Sequence, residues 1–251
     1  MPDTSLQGRA AIVTGGAGGD AGLGLTTTEA LLRAGARVAV WDRSPEAAAR
    51  ARHELARQGF EPLFQEVDVT DQAAIERAYQ QVRDSLGPVD VLVNNAAVKM
   101  DFMLGPKSAR PAGTLPFWQL DPARFLRLLE INVYGPFLTS RLVVPDMAAG
   151  GRGSVINVVT SPHTQRSPKH IPYGPSKAAL QAMTQAMAAQ LEGTGVRVNA
   201  VLPGGSANRR GESDPSLSAY DCMVSPILWL ASDQSATVTG QVFTGEGFVR
   251  P

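Results

Sequence analysis

The chain has 251 residues, with 23 Lys plus Arg against 23 Asp plus Glu, and no basic stripe, which gives no support for nucleic acid or an anionic membrane surface as a partner. Its longest apolar runs are strand-sized, residues 1–7 are polar, and a single cysteine, Cys222, excludes an internal disulfide; the expectation is a protein of a reducing cytoplasm with no membrane span and no signal peptide. No linker-like composition break divides residues 1–251, so one domain with a full core is expected.

Strand-like and helical patterns alternate from the start. Ala10–Thr14 reads as a strand and residues 22–34 as a helix. Residues 37–41 form the next strand. Ser44 then caps a helix with Pro45 at its first position, reaching about Gln58. Residues 61–67 read as a strand, and Thr70 is placed as the cap of a helix ending at Leu86. Residues 89–94 are the fourth strand. Asp121-Pro122 opens a long helix holding Phe125, Leu128, Leu129 and Asn132. A strand over 154–159, a helix over 173–192 and a strand over 196–202 follow. Residues 225–231 read as helical, and 241–244 as a last short strand. Strands separated by helices of ten or more residues imply right-handed crossovers. The fold expected is α/β: a doubly wound, Rossmann-type parallel sheet of about seven strands with helices on both faces. Ligands of such sheets bind beyond the carboxyl ends of the strands. Gly15, Asp42, Asp68, Asn94, Thr160 and Pro203 all stand at those ends.

The first strand runs into a glycine-rich loop, Gly15-Gly16-Ala17-Gly18-Gly19-Asp20-Ala21-Gly22-Leu23-Gly24, and then into a helix. In that context glycines let the backbone approach a pyrophosphate, and the helix N-terminus offers free N–H groups and a positive dipole end. Asp42 closes the second strand, 18 residues past Gly24. An acid there hydrogen-bonds an adenosine ribose and repels a 2′-phosphate, which favours NAD over NADP. Arg43 beside it keeps some use of NADP open.

Tyr173-Gly174-Pro175-Ser176-Lys177 puts a phenol and an ammonium four residues apart at the start of an Ala-rich helix. At that spacing they share a face, about 6 Å apart at Cβ. A free Tyr has a pKa near 10, and a nearby Lys⁺ lowers it. The pair is a candidate proton-transfer device acting on a substrate oxygen.

On these residues the chain resembles the short-chain dehydrogenase/reductase family over nearly its whole length. The matching pieces are the Thr14-Gly loop, Asp42, Asp68-Val69, Asn94-Asn95-Ala96-Ala97, Asn132-Val133-Tyr134-Gly135, Tyr173-x-x-x-Lys177, Asn199 to Gly204 and Leu230-Ala231-Ser232-Asp233. The resemblance implies an NAD-dependent oxidoreductase that interconverts a secondary alcohol and a ketone. It implies Tyr173 as general acid/base, with Lys177 lowering its pKa and binding the nicotinamide ribose. Asn132 would hold a water that links Lys177 to solvent. Asp68 and Val69 would flank the adenine, Asn94, Asn95 and Ala96 would line the cofactor channel, and Pro203 and Gly204 would pass near the nicotinamide. No metal is implied. A non-catalytic nucleotide-binding sensor or scaffold, or a non-redox enzyme of the same fold, stays open beside this reading, because fold does not fix function.

The chain departs from the family pattern in five places. Six residues separate Gly15 from Gly22, more than the pattern, and they include Asp20, an acid unfavourable near a pyrophosphate unless it points away. Thr160, thirteen residues before Tyr173, stands where the family has a serine; it is the preferred holder of the substrate oxygen, with Ser161 the alternative. Ala97 replaces a glycine. The stretch from Asn94 to Asn132 is long, and Met100, Phe102, Met103, Phe117 and Trp118 within it are expected to help form the substrate pocket. The segment 205–224 is short and polar. His163 and His170 lie close enough to Tyr173 in sequence to touch a substrate, and Arg209-Arg210 to meet an anionic group of one, whereas His53 reads as surface. The helix over 173–192 carries more small and apolar side chains than one buried stripe requires, which together with the resemblance implies a homotetramer or homodimer with two-fold symmetry.

Overall fold

The computed structural model describes residues 5–18, 22–105, 115–202 and 221–250. Seven strands form one parallel sheet: β1 (Ala10–Thr14), β2 (Arg37–Asp42), β3 (Leu63–Glu66), β4 (Val91–Asn94), β5 (Gly153–Val158), β6 (Val196–Leu202) and β7 (Val242–Thr244), in the spatial order β3-β2-β1-β4-β5-β6-β7. The order reverses between β1 and β4, where Thr14 pairs with Asn94. Crossovers on opposite sides of that point open a crevice at the strand ends.

Side chains alternate along each strand, and the two sets feed two cores. Ala11, Val13, Val38, Val40, Val91 and Val93 pack beneath Leu31 of α1 (Leu23–Arg33), Ala47 and Ala51 of α2 (Pro45–Arg57) and Ile227 and Trp229 of α9 (Val224–Ala231). Ile12, Ala39, Trp41, Leu92 and Val155 pack beneath Tyr79 and Val82 of α3 (Gln72–Leu86), Leu138 and Met147 of α6 (Gly135–Ala149) and Ala188 of α8 (Tyr173–Gln190). Both faces of the sheet are covered, so the strands carry apolar residues on either side. At the amino ends of the strands, buried Asp90 accepts hydrogen bonds from Ala10 N, Arg9 and Arg152 and ties β1, β4 and β5 together on the side away from the crevice.

Most expected elements lie within two residues of their observed bounds. Ser44 caps α2 as its sequence suggests, its Oγ accepting from Ala47 N at 3.1 Å. The cap of α3 is Asp71, not Thr70: the Asp71 carboxylate accepts from Ala74 N at 3.0 Å, while Thr70 turns its hydroxyl to Asp68 at 2.7 Å. The helix opened by Asp121 is longer and less regular than expected. It runs as α5 (Pro122–Leu129), a π-helical turn (Glu130–Tyr134) and α6. Such turns often mark functional positions, and Asn132 stands in this one. Two short helices were not legible in the sequence, α4 (Met100–Leu104) and α7 (Pro162–Arg166).

Candidate active site

A cleft of about 800 Å³ opens past the carboxyl ends of β1, β2, β4 and β5. Gly15, Gly22, Leu23, Gly24, Asp42, Arg43, Asp68, Val69, Asn95 and Ala96 line one stretch of it, and Thr160, Tyr173 and Lys177 line another. The structure thus brings together most of the described residues expected to hold the cofactor and do the chemistry. Asn132 and Asn94 stay out of the lining. Asn94, expected to line the cofactor channel, is buried and spends its side chain inside the fold, Nδ2 donating to Ser140 Oγ at 3.2 Å and Asn157 Oδ1 at 2.9 Å and Oδ1 accepting from Thr139 Oγ1 at 2.7 Å. Pro203, Gly204, Asp20 and Arg209-Arg210 lie outside the described residues.

The glycine loop is built for close approach. A Cβ on Gly24 would collide with the Gly15 carbonyl oxygen and stand 2.9 Å from Asn95 Nδ2. Gly15 has φ +61°, and a Cβ there would lie 2.9 Å from the Ala96 Cα. Asn95 and Thr14 close this junction. Asn95 Nδ2 donates to the carbonyls of Thr14 and Gly15 at 3.0 and 3.1 Å, and Thr14 Oγ1 accepts from the N–H groups of Asn95 and Ala96, each at 3.1 Å. At its far side the loop is held by Asp42, whose carboxylate accepts from Ala17 N at 3.2 Å and from Ser44 N at 3.0 Å. Helix α1 begins at Leu23 with no side-chain cap among the described residues; Leu25 N and Thr26 N donate to Gly22 O, and the N–H groups of Leu23 and Gly24 are left for an anion in the cleft.

Asp68 is fixed by Thr70, which donates to it from both backbone and hydroxyl, and by Arg127 at 2.6 Å. Partial burial pushes its carboxyl up, but the Thr70 hydrogen bonds and the Arg127 charge outweigh that and hold it below the usual carboxylate range. The partnership with Arg127 spans 59 residues, and no local pattern announces it.

At the other end, Tyr173 opens α8 and Lys177 follows one turn later. Lys177 is only 2% exposed. Its Nζ donates to the Val158 carbonyl at 2.8 Å, its single partner among the described residues. An ammonium has three N–H donors, so two remain for groups in the cleft. Burial, with a smaller contribution from the charge of Lys99, pulls the Lys177 pKa down to about 7. The sequence reads Lys177 as a cation beside Tyr173, and the depth of its site makes that charge dependent on what binds beside it.

Asn132 is fully buried and does not line the cleft. Its Oδ1 accepts from Val98 N at 2.9 Å, and its Nδ2 donates to Val98 O at 2.9 Å and Ser176 Oγ at 3.1 Å. Ser176 Oγ in turn donates to the Tyr173 carbonyl at 2.7 Å. With both amide hydrogens so engaged, the side chain joins the segment after β4 to the first turn of α8. Ser176, inside the Tyr173–Lys177 motif, went unread as a site residue; the signal available was a polar side chain on the buried side of that helix.

Both candidate oxygen holders line the cleft, and Ser161 is engaged by α7, its Oγ lying 3.2 Å from Thr164 Oγ1. Its Oγ accepts from Thr164 N at 3.3 Å as the cap of α7. Thr160 faces the cleft with its hydroxyl unpartnered among the described residues. Met100 and Phe102 line the cleft as expected. Met103 is buried and does not line it, and Phe117 and Trp118 are 64% and 72% exposed and take no part in it. The described residues hold no cluster of His, Cys, Asp or Glu able to bind a metal ion, and no described helix is long and apolar enough to cross a membrane.

Residues 9–213 match the short chain dehydrogenase family model. The chain belongs to the short-chain dehydrogenase family. A short chain dehydrogenase of Pseudocercospora fijiensis is 34% identical over 85% of this chain, which spans 64% of that relative's length. Fluoren-9-ol dehydrogenase of Terrabacter sp. is 32% identical over 95% of this chain and 71% of its own. Among solved structures, a gluconate 5-dehydrogenase from Burkholderia cenocepacia in complex with NADP and tartrate superposes with a TM-score of 0.77, at 25% identity, over 96% of this chain and 95% of its own. Like its relatives, this short-chain dehydrogenase is an NAD(P)-dependent oxidoreductase of alcohol groups, working by hydride transfer.

Proposed function

We propose that this protein is an NAD-linked dehydrogenase of secondary alcohols in which Tyr173 carries the proton. The observation that supports it most is Lys177, buried one turn from Tyr173 with two N–H donors left for the cleft. Those donors suit a ribose hydroxyl and the phenol oxygen. NAD, when bound, supplies the hydride acceptor. Tyr173 removes the hydroxyl proton of the alcohol, and Thr160 donates a hydrogen bond to the same oxygen. Asn132, through Val98 and Ser176, holds the two walls on which these groups stand. Gly15, Gly22, Leu23 and Gly24 would receive the pyrophosphate. Asp68 and Val69 would flank the adenine, with Asn95 and Ala96 beside the channel and Pro203 and Gly204 near the nicotinamide.

Preference for NAD over NADP rests on Asp42. Its carboxylate closes β2 at the cleft and accepts hydrogen bonds from the amide N–H groups of Ala17 and Ser44. Arg43 is exposed beside it. We further read the chain as one catalytic domain of the cytoplasm, a setting that suits its single cysteine, assembled as a dimer or tetramer about two-fold axes. Exposed Leu126 of α5, Tyr134 of the π-helical turn and Phe137 of α6, the last two stacked at 6.0 Å, support an assembly face there.

The test is NADH formation from a panel of alicyclic, aromatic and sugar alcohols, with NAD⁺ and NADP⁺ in parallel. Tyr173→Phe is expected to lose nearly all turnover while cofactor affinity stays within a few-fold. Retention of a tenth or more of the wild-type kcat would refute the assignment.

A further inference from the structure

His170 is a group at the reacting end of the cleft that alcohol oxidation leaves unused. It closes the short turn Pro168–His170, three residues before Tyr173, and lines the same cleft as Tyr173 and Thr160. Its Nδ1 stands 2.9 Å from Ser167 Oγ, and its backbone N–H donates to the Ser167 carbonyl at 3.1 Å. Ser167 is itself buried, and its Oγ also accepts from Lys169 N at 3.3 Å. The imidazole is therefore held on a fixed post. Its Nε2 has no partner among the described residues. His163, equally near Tyr173 in sequence, does not line the cleft.

We propose that His170 Nε2 binds a second oxygen of the substrate, on the carbon next to the one oxidised, and that the enzyme selects neutral vicinal diols of the polyol or sugar type. The proposal rests on the reading of Tyr173 as proton carrier. Tyr173 and Thr160 take the carbinol oxygen, which leaves the ring nitrogen to a neighbouring group. A hydroxyl both donates and accepts, so it matches either ring tautomer. A carboxylate matches less well, because the lining of the cleft carries Asp101 as well as Lys99. A site built to hydrogen-bond a substrate hydroxyl discriminates against the analogue that lacks it, since the protein group is then left unpaired.

The experiment measures NADH formation by the full chain on matched pairs, cyclohexanol against 1,2-cyclohexanediol and 2-butanol against 2,3-butanediol. Wild type is expected to favour each diol by about tenfold or more in kcat/KM, about 1.4 kcal/mol. His170→Phe should lower kcat/KM on the diols by about tenfold, mainly through KM, and leave the monoalcohols within about twofold. His170→Gln, which keeps an amide donor and acceptor, should recover part of the loss. Equal use of monoalcohols by wild type would overturn the proposal, as would no turnover of either diol, an equal loss on both classes in His170→Phe, or a preference for 2-hydroxybutyrate over 2,3-butanediol. NADH fluorescence titration checks each variant for cofactor binding. If His170→Phe fails that check, the diol-to-monoalcohol ratio of His170→Gln against wild type decides. The underlying reading fails separately, if Tyr173→Phe leaves turnover of every alcohol intact.

Discussion

Gly24→Ala probes the junction on which the cofactor cradle depends. The new methyl group would collide with the Gly15 carbonyl oxygen and sit 2.9 Å from both the Gly15 carbonyl carbon and Asn95 Nδ2. An unstrained carbon contact is about 3.5–4.0 Å, so the 2.9 Å contacts alone demand a parting of the loop and the head of α1 by about 0.6 Å, and the closer contact with the Gly15 carbonyl oxygen demands more than that. Forced repacking of this kind costs about 1–3 kcal/mol, and weakening the Asn95 bonds to Thr14 O and Gly15 O adds about 1 kcal/mol. For a chain of this size each kcal/mol lowers Tm by about 2–4 °C, so a fall of about 4–16 °C is expected by calorimetry or thermal fluorescence. The same movement displaces the N–H groups that face the pyrophosphate. NADH affinity, measured by fluorescence titration, should therefore drop by about tenfold or more. An alanine variant with Tm within about 1 °C of wild type and an unchanged NADH Kd would refute the reasoning, and with it the claim that the Gly15–Gly24 approach shapes the site.

Asp42→Ala should relax the preference for NAD⁺ over NADP⁺, expected in wild type to exceed about tenfold, about 1.4 kcal/mol; because Asp42 also accepts from Ala17 N, NAD⁺ affinity should fall too, and steady-state kinetics with both cofactors read both effects. Lys177, with its pKa lowered by burial to about 7 against 10.5 when free, binds its proton less readily folded than unfolded, so its contribution to stability rises with pH between those values. Lys177→Met removes a buried charge present at low pH, and the Tm of the variant minus that of wild type, without cofactor, should be more positive at pH 7 than near pH 10; a constant difference would contradict the shift. Light scattering at micromolar concentration should give a dimer or tetramer, and a mass near 26.5 kDa would rule out the assembly face on α5 and α6.

What the sequence determined by itself was local. Strand and helix periods, the Ser44-Pro45 helix start, the glycine loop leading into a helix and the four-residue spacing of Tyr173 and Lys177 are set within segments of about twenty residues or fewer, where backbone geometry translates directly into structure. Their order along the chain was enough for the fold class and for the edge of the sheet that bears the cleft. The tertiary structure decided what depends on partners far apart in the chain. Packing brought Arg127 to Asp68 across 59 residues and the Asn132 side chain to Val98 across 34. It also buried Lys177 deeply enough to make its charge conditional. The short helix α7 engaged Ser161 as its cap while the Thr160 hydroxyl, on the same cleft lining, has no partner among the described residues, and the turn after it put His170 on the cleft wall and His163 away from it. Residue types and spacings propose such neighbours in several combinations. Only the burial of two packed cores on one twisted sheet selects among them, because each choice changes which polar groups are left without partners.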